Sequence, residues 1–200
     1  MPTIYVVAQE QDERAAIAAL VCQECRSVEV FRDVSAFLAH KDPSEPGCVI
    51  LELKEPASSS IRRMREFLEP LPIIIVSPSA VVARAVQAMK QGAADFLAKP
   101  LEKERLVSAV QRGLDISRAR MEQTRRKNEL LARYQTLSAR EKDVVGAVLD
   151  GRANREVASQ LGIRPRTVEI HRSNAMTKLG ARSLPELVRI WLDLTDGNMC

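Results

Sequence analysis

The first half of this 200-residue chain contains five short apolar runs that alternate with stretches of helical periodicity. Apolar runs of this length, rich in β-branched residues, predict strands that are buried on both faces. Because strands that alternate with helices form parallel sheets covered on both sides, we predict an α/β doubly wound five-stranded domain of about 100 residues. The predicted strands are Thr3–Ala8, Val28–Phe31, Cys48–Leu53, Pro72–Ser77 and Ala94–Leu97.

The helices of this domain are predicted from the apolar spacing between the runs. They cover Gln11–Val21, Val34–His40, a stretch from the loop Pro56–Ser60 to Leu68, and a stretch to about Gln91 that Ser79 can cap. A fifth helix starts near Glu102 and meets no stop signal, and beyond Asp115 it becomes polar on all sides. Helices of this kind usually bridge domains through solvent. We therefore predict an exposed helical linker from Asp115 to about Ala132, with a charged coil as the alternative.

The second half of the chain predicts an all-α module of four helices. Ser138–Glu141 is a capping box that starts the first helix, and Gly151 ends that helix. Asn154 is predicted to cap the second helix, which Gly162 closes. Pro165 suits the first turn of the third helix, because that turn has no partner for its N–H group.

Apolar spacing within the module separates an inner face from an outer face. On the third helix the inner positions are Val168, Ala175, Met176 and Leu179, and the outer positions are Glu169, Ile170, Arg172 and Ser173. A second capping box, Ser183–Glu186, starts the fourth helix. The predicted inner face of that helix carries Leu187, Val188, Ile190, Trp191 and Leu194. The outer face of the third helix is basic and polar, as a helix that lies in a DNA groove must be.

The positive charge of the chain is concentrated around this module. The formal net charge is +4 and the isoelectric point about 9.0. The segment before the module carries Arg118, Arg120, Arg125, Arg126, Lys127 and Arg133, and the module carries Arg152, Arg155, Arg164, Arg166, Arg172, Lys178 and Arg182. A basic half of this kind is what a nucleic-acid partner requires, because lysine and arginine neutralise phosphates.

Other classes of protein are disfavoured by the same sequence. No apolar run approaches the roughly 20 residues of a membrane span, and the N-terminus lacks a signal-peptide pattern. We therefore expect a cytoplasmic protein without a membrane partner, whose four cysteines stay reduced. Cys22 and Cys25 form a C-x-x-C pattern, which structural thiols share with redox and metal sites. The histidines are His40 and His171, and no further ligand pair or nucleophile–base pair is visible, so we predict no metal, no cofactor and no enzyme activity.

A set of correctly spaced positions runs through the helical module. These positions are Leu137–Glu141, Gly151, Asn154, Ala158, Leu161, Arg166–Arg172, Lys178–Gly180 and Arg182–Ser183. Over about 60 residues the set resembles the LuxR-type helix-turn-helix, in which the helix corresponding to Arg166–Leu179 enters the major groove. The resemblance implies base-edge contacts from Glu169, Ile170 and Ser173. It also implies backbone contacts from Asn154, Arg166, Thr167, His171, Arg172 and Lys178.

The chemistry of these side chains agrees with that division. Arginine and lysine hold phosphates without reading sequence. A carboxylate can accept a hydrogen bond from cytosine N4, and an aliphatic group can contact the methyl group of thymine. The alternative is a small helical interaction domain with a solvated charged face.

A second resemblance, to another known type of domain, rests on three segments of the first domain. These segments are Gly47–Pro56, Pro72–Ser77 and Ala88–Pro100. From Thr3 to about Ala119 the chain resembles the receiver domain of two-component response regulators, which has a flavodoxin-like fold. With the LuxR-type module attached, the whole chain resembles the FixJ/NarL family of response regulators.

The departures from this family concern its phosphorylation chemistry. The phosphorylated aspartate of the family corresponds to Glu52, and its acidic pair after the first strand corresponds to Ala8 and Gln9, with Glu10 nearby. Magnesium is usually held by carboxylates, and phosphoryl transfer relies on a metal ion to neutralise charge. We therefore predict a degenerate receiver, or pseudo-receiver, that is independent of aspartyl phosphorylation.

The residues that correspond to the family's switch are retained as Ser77, Phe96 and Lys99. Lys99 is expected to lie across the strand ends from Glu52, close enough for an ion pair, with Ser77 able to donate a hydrogen bond. One hypothesis is that Glu52 partly substitutes for the phosphoryl group and holds the domain near its active arrangement. The competing hypothesis is a degenerate domain kept for dimerisation, in which the Glu52–Lys99 pair is only structural.

These features predict a sequence-specific transcription regulator that binds double-stranded DNA as a homodimer. The predicted bounds are 1–119 for the receiver-like domain, 120–135 for the linker and 136–200 for the DNA-binding domain. The dimer contact is expected on the face formed by the helix to Gln91, the strand Ala94–Leu97 and the helix from Glu102, or on the linker helix. RNA polymerase is a further candidate partner, and a histidine kinase is left open. The alternatives are a regulator switched by phosphorylation at Glu52 or another acceptor, and a thiol-gated regulator through Cys22 and Cys25.

Overall fold

The computed structural model describes residues 2–22, 27–40, 45–53, 71–79 and 81–195 of the chain. It divides into two compact units, Met1–Glu122 and Gln123–Cys200, and each is described by itself. The helix predicted to end at Leu68 and the second cysteine of the C-x-x-C pattern, Cys25, lie outside the described residues. The predicted bounds of the domains and linker stay a prediction.

The first unit is built on a five-stranded parallel sheet, as predicted. Its strands are β1 Thr3–Val7, β2 Val28–Phe31, β3 Gly47–Glu52, β4 Ile73–Ser77 and β5 Asp95–Ala98, in the spatial order β2-β1-β3-β4-β5. Val7 pairs with Leu51, and Ser77 pairs with Ala98, so the carboxyl ends of the strands are aligned at one edge. Ligand sites of open parallel sheets form at this edge.

Both faces of the sheet are buried, because successive strand residues point to opposite sides. One core contains Ile4, Val6, Ile50, Ile74 and Val76 of the strands, and the other contains Tyr5, Val7, Leu51, Ile73 and Ile75. The covering helices are α1 Gln11–Cys22, α2 Val34–His40, α3 Val82–Lys90 and α4 Lys103–Gln135. Helices α1 and α4 contribute to the first core, whereas α2 and α3 contribute to the second, which confirms the doubly wound architecture.

The prediction that Ser79 caps the helix before Gln91 is wrong. Helix α3 begins at Val82, and its N-cap is Val81, which forms no side-chain capping bond. The backbone N–H group of Ser79 instead donates a hydrogen bond of 3.3 Å to the hydroxyl of Ser77. Ser79 therefore belongs to the turn that follows β4, and the helix starts later.

Helix α4 is one continuous helix of 33 residues, so the helical linker is confirmed over the charged coil. Leu106, Val110 and Leu114 pack its first part against the sheet. The buried hydroxyl of Ser117 accepts a hydrogen bond of 3.1 Å from the backbone N–H group of Gly47. Beyond Ser117 the helix is mostly exposed and polar. Among the described residues, neither α4 nor any other helix is long and apolar enough to cross a membrane.

The second unit contains the four predicted helices of the DNA-binding module. They are α5 Ala139–Leu149, α6 Asn154–Leu161, α7 Pro165–Leu179 and α8 Leu184–Thr195. The inner positions predicted for the third helix are confirmed, because Val168, Ala175 and Leu179 are buried in the core of the unit and Met176 packs against it. Gly162 has a φ of 65°, in the left-handed region that glycine favours, and it ends α6 before the turn into α7.

The caps of these helices agree with the sequence only in part. The Ser138–Glu141 capping box is confirmed, with its reciprocal hydrogen bonds at 3.3 and 2.7 Å. Asn154 does not cap α6: the N-cap is Ala153, whose N–H group donates to the carboxylate of Glu156 at 2.9 Å. The N–H group of Glu156 donates at 2.9 Å to the carbonyl oxygen of Ala153, so backbone and Glu156 contacts form this turn without a capping side chain.

The last helix departs from its prediction in two places. Ser183 accepts a hydrogen bond of 3.4 Å from the N–H group of Glu186, but the carboxylate of Glu186 accepts from Arg182 rather than from Ser183. The second capping box is therefore only half formed. Leu187 is buried as predicted, whereas Val188 is exposed, because adjacent helical residues point about 100° apart.

Candidate DNA interface and receiver site

The carboxyl ends of β1 and β3 border an open cleft in the first unit. The cleft has a volume of about 310 Å³ and is lined by Ala8, Gln9, Asp33, Leu51, Glu52 and Leu53, among others. The positions that correspond to the family's acidic pair and to its phosphorylated aspartate therefore share one cleft. Asp33 lies at its rim, where its carboxylate caps α2 through a hydrogen bond of 2.8 Å from the N–H group of Ala36.

Glu52 and Lys99 form the ion pair that the sequence predicts. Lys99 Nζ donates to Glu52 Oε1 at 2.5 Å. The side chain of Glu52 is only 3% exposed and that of Lys99 is 21% exposed, so the pair is largely shielded from water. The parallel register of the strands produces this contact, because β3 ends at Glu52 and Lys99 directly follows β5.

A third residue, Glu13 of α1, belongs to the same ion cluster. Its Oε2 atom contacts Lys99 Nζ, so the ammonium group lies between two carboxylates. Burial by itself lowers the pKa of Lys99, but the hydrogen bonds and charges of Glu13 and Glu52 outweigh it, and the pKa lies above its ordinary value of 10.5. Lys99 is therefore a permanent cation at neutral pH. Sequence reasoning missed Glu13, because only the packing of α1 against the sheet brings it here.

Ser77 and Phe96, the other residues that correspond to the family's switch, lie close to this cluster in the sheet. Ser77 is buried at the end of β4, and its carbonyl oxygen accepts a hydrogen bond of 2.9 Å from the N–H group of Lys99. Phe96 is partly buried and packs against the core that contains Tyr5 and Leu51. These contacts hold the backbone of β5 that leads to Lys99.

The residues after β1 do not fit a magnesium ion, which the receiver resemblance implies at this edge. Ala8 is buried and has no side-chain ligand, Gln9 is uncharged, and Glu10 is exposed. The guanidinium group of Arg14 donates to the carbonyl oxygens of Ala8 and Gln9, at 2.7 Å each. Within the described residues, no group of three or more acidic, histidine or cysteine side chains is arranged to hold a metal ion.

The predicted DNA-reading residues lie on the outer side of α7. Glu169, Ile170 and Ser173 are exposed, and Glu169 accepts a hydrogen bond of 2.8 Å from Arg166. His171 and Arg172 are partly buried, as is Thr167 near the start of the helix. A shallow depression of about 450 Å³ is lined by Asn154, Glu169, Arg172, Ser173, Met176, Thr177, Ala181 and Arg182. The structure thus brings Asn154 of α6 together with three predicted residues of α7.

Lys178 belongs to the predicted DNA-contacting set, but its side chain forms contacts within the second unit. Its ammonium group donates to the carboxylate of Glu141 at 2.7 Å and to the carbonyl oxygen of Thr136 at 3.3 Å. The Glu141 side chain is 5% exposed. The hydrogen bond from Lys178, followed by that from the Ser138 backbone, holds the pKa of Glu141 below its ordinary range. This pair connects the end of α7 to the start of α5.

Two cysteines of the first unit lie in the described part of the chain, and neither forms a disulfide there. Cys22 is exposed at the end of α1, and Cys48 is buried in β3. The burial of Cys48 agrees with its place in an apolar strand.

Two family models match the chain, one in each unit. The model "Bacterial regulatory proteins, luxR family" matches residues 135–191, and the model "Response regulator receiver domain" matches residues 4–111. The matches place the cleft and ion cluster in a receiver domain. They place α7 in a DNA-binding helix-turn-helix.

Similar proteins extend these matches over nearly the whole chain. The "Transcriptional regulatory protein FixJ" of Rhizobium meliloti (strain 1021) is 35% identical over 193 residues, which cover 95% of each chain. The "Response regulator protein TodT" of Pseudomonas putida is 35% identical over 96% of this chain and 86% of its own length. A structure of the response regulator StyR has 31% identity and a TM-score of 0.79, with 95% of this chain and 98% of that chain covered.

These relatives are DNA-binding transcription regulators, and this chain is accordingly a regulator rather than an enzyme. The match spans both domains in the same order. The chain therefore belongs to the FixJ-type two-component response regulators, in which a receiver domain precedes a LuxR-type DNA-binding domain.

Proposed function

We propose that this response regulator binds specific DNA sequences without being switched by aspartyl phosphorylation. The observation that carries the proposal is the buried contact of Glu52 with Lys99, at 2.5 Å. Lys99 is already bound by two carboxylates at the position where the family's receivers are phosphorylated. The positions of the family's metal-binding acids carry Ala8 and Gln9 instead.

Incubation with a small phosphodonor and magnesium tests this proposal. We expect no stable incorporation of labelled phosphate into the full-length chain, because phosphoryl transfer needs both a metal and a well-placed acceptor. The Glu52→Ala variant is the matched control. Label that enters the wild-type chain but not this variant would establish Glu52 as an acceptor and overturn the proposal.

Within this proposal Glu52 acts as a constitutive substitute for the phosphoryl group. Its carboxylate supplies a fixed negative charge to Lys99, which is the contact that a phosphoryl group would otherwise make. Replacing Glu52 by alanine should then weaken both dimerisation and DNA binding. Asp12→Ala, an exposed carboxylate lost from the first turn of α1, is the control. If Glu52→Ala leaves both properties unchanged, the ion pair is only structural.

We assign the reading of bases to Glu169, Ile170 and Ser173, whose side chains are exposed on α7. We assign backbone contacts to Asn154, Arg166, Thr167, His171 and Arg172. Lys178 is reassigned to positioning α7, because its ammonium group is already held by Glu141 and Thr136. We propose that the ligand is DNA of the bacterial chromosome, that the protein acts in the cytoplasm, and that RNA polymerase is a further partner.

The active form is proposed to be a homodimer. Helix α3 exposes Val82, Val86 and Met89, which are spaced by four and three residues and so lie on one side of the helix. Such a stripe is an apolar surface suited to a second copy of the chain. Val86→Arg should raise the dimer dissociation constant measured by sedimentation. Val30→Arg is the matched control, since Val30 is equally exposed on β2, at the opposite edge of the sheet from β5.

A further inference from the structure

We propose that the linker end, residues 133–136, is a positioning element of the DNA-binding unit that holds the carboxyl end of α7. The match to the LuxR family begins only at residue 135. The compact second unit begins earlier, at Gln123, within helix α4. The last turns of the linker helix therefore belong to this unit by their contacts. The inference rests on the proposed assignment of base reading to α7, and it gives the linker a part in that reading.

A polar contact joins the linker end to the carboxyl end of α7. Helix α4 ends at Gln135, and the carbonyl oxygen of the next residue, Thr136, accepts a hydrogen bond of 3.3 Å from Lys178 Nζ. A lysine is favoured there, because the last carbonyl groups of a helix lack partners within it and carry partial negative charge. Lys178 lies in the last turn of α7 and also donates to Glu141 at 2.7 Å. One ammonium group therefore connects the linker end, α5 and α7.

An aromatic contact joins the same turn of the linker to the last helix. The ring of Tyr134 packs edge-to-face on that of Trp191 of α8, with the ring centroids 5.8 Å apart. The ammonium group of Lys142 of α5 lies 5.0 Å from the centroid of the Tyr134 ring, within the range of a cation–π interaction. Tyr134 also packs against the apolar core that contains Leu179 of α7. Its side chain thus connects the linker end to α5, α8 and the core of the unit.

The linker end also approaches the residue that ends α7. Gly180, the C-cap of α7, has a φ of 77°, and a Cβ atom at this position would lie 3.0 Å from Arg133 Nη1. Releasing the linker end would therefore free the carboxyl end of α7 and lower the population of the arrangement that binds DNA. Because apparent affinity scales with that population, DNA binding should weaken although every DNA-contacting side chain is still present.

Tyr134→Ala tests the inference in the full-length chain, and Tyr134→Phe keeps both ring contacts. The matched control is Leu131→Ala, because Leu131 is also partly buried on this helix but is not among the described residues that pack against that core. The probe is a labelled duplex that the wild-type chain has selected from a random pool. Fluorescence anisotropy measures its affinity at a temperature where circular dichroism shows every variant to be folded.

We expect Tyr134→Ala to weaken binding of this duplex at least about threefold, because it removes an aromatic pair and a cation–π contact. Tyr134→Phe and Leu131→Ala should bind like the wild type. An equal loss of affinity in Leu131→Ala would contradict the inference, since it would then concern the linker helix in general.

Trp191 is the only tryptophan of the chain, and its fluorescence reports on the contact itself. Its emission maximum should shift to longer wavelength in Tyr134→Ala, because loss of the neighbouring ring exposes the indole to water, and should stay unchanged in Tyr134→Phe. An unshifted emission in Tyr134→Ala would overturn the inference, because the linker end would then not rest on α8. A shifted emission with unchanged DNA affinity would also overturn it, because Tyr134 would then only stabilise the fold.

A separate comparison decides the proposed reading face. Glu169→Ala and Ser173→Ala should each change the base preference found by selection from the random pool. If neither does, the proposed assignment of base reading to α7 fails, whereas the Tyr134 variants test the linker end alone.

Discussion

The receiver site and the outer face of α7 each contain an ion pair between a basic and an acidic side chain, but the two pairs differ in their exposure to water. In the receiver, the side chain of Glu52 is 3% exposed and that of Lys99 is 21% exposed. On α7, the ion pair between Arg166 and Glu169 has side chains that are 82% and 48% exposed. An ion pair on the surface contributes about 0–1 kcal/mol to the free energy of unfolding and separates easily. Breaking a buried ion pair, in contrast, leaves an uncompensated charge inside the protein. The first pair is therefore a fixed part of the fold, and the second can exchange its partner for DNA.

The DNA-binding unit also contains one pair of the fixed kind. Lys178 and Glu141 join α7 to α5; the Glu141 side chain is 5% exposed, and that of Lys178 is 39% exposed. Glu141 takes part in the capping box of α5 at the same time. Both domains thus contain charged side chains that stabilise the fold. What distinguishes these side chains from the ones that can bind a partner is burial, and not the domain to which they belong.

The largest effect that this comparison predicts is on DNA affinity. Replacing Arg166 and Arg172 together by glutamine should weaken operator binding by roughly tenfold to a hundredfold and reduce the slope of log affinity against log salt by about 1.8, since each phosphate neutralised accounts for about 0.9. Fluorescence anisotropy at several salt concentrations measures both quantities.

The matched control removes the same charge from exposed arginines off the DNA face, Arg140 of α5 and Arg189 of α8. If this control changes the salt slope as much as the first variant does, the reading face is not on α7.

A smaller effect is predicted for the stability of the receiver unit. Glu52→Gln removes a charge-assisted hydrogen bond from a buried group and should lower the free energy of unfolding by about 1–3 kcal/mol. Glu13→Gln should cost less than about 1 kcal/mol, because the Glu13 side chain is 38% exposed and its interaction is screened. Urea unfolding of the two variants checks the difference. Equal losses of unfolding free energy in the two variants would show that the burial of Glu52 does not make its contribution larger than that of Glu13.

The contact between Glu52 and Lys99 could be predicted from the sequence, whereas Glu13 and Arg14 could not. Apolar runs predict the strands, parallel strands place their carboxyl ends at one edge of the sheet, and the receiver resemblance implies that Glu52 and Lys99 face each other across that edge. The contacts of Glu13 and Arg14 depend instead on how α1 packs on the sheet, and no spacing rule encodes that packing. The contact of Lys178 with Glu141 could not be predicted for the same reason, because Glu141 lies on another helix, 37 residues away in sequence; the DNA contact of Lys178 stays a prediction.

The next predicted effect is the pH dependence of the stability that Glu141 contributes. The pKa of Glu141 is lowered in the folded protein, so the ionised carboxylate stabilises the fold above its ordinary pKa of 4.5. That contribution is lost as pH falls through the lowered folded value. The stability advantage of the wild type over Glu141→Gln should therefore be constant near neutral pH and shrink below about pH 4.5. Thermal unfolding of both proteins across this range measures it, and an advantage that grows on acidification would contradict the assignment.

The smallest expected effect distinguishes a positioning lysine from a phosphate contact. Lys178→Gln should leave the salt slope of DNA binding nearly unchanged, because the ammonium group is bound to Glu141 and Thr136 rather than free to release counterions from DNA. Arg172→Gln, the matched removal of one charge from the same helix, should reduce the slope by about 0.9. A reduction of about 0.9 for Lys178→Gln as well would mean that DNA draws Lys178 away from Glu141. The pair that Lys178 forms with the buried Glu141 would then be as exchangeable as the exposed pair of Arg166 and Glu169, and burial of one partner would not fix a charge within the DNA-binding unit.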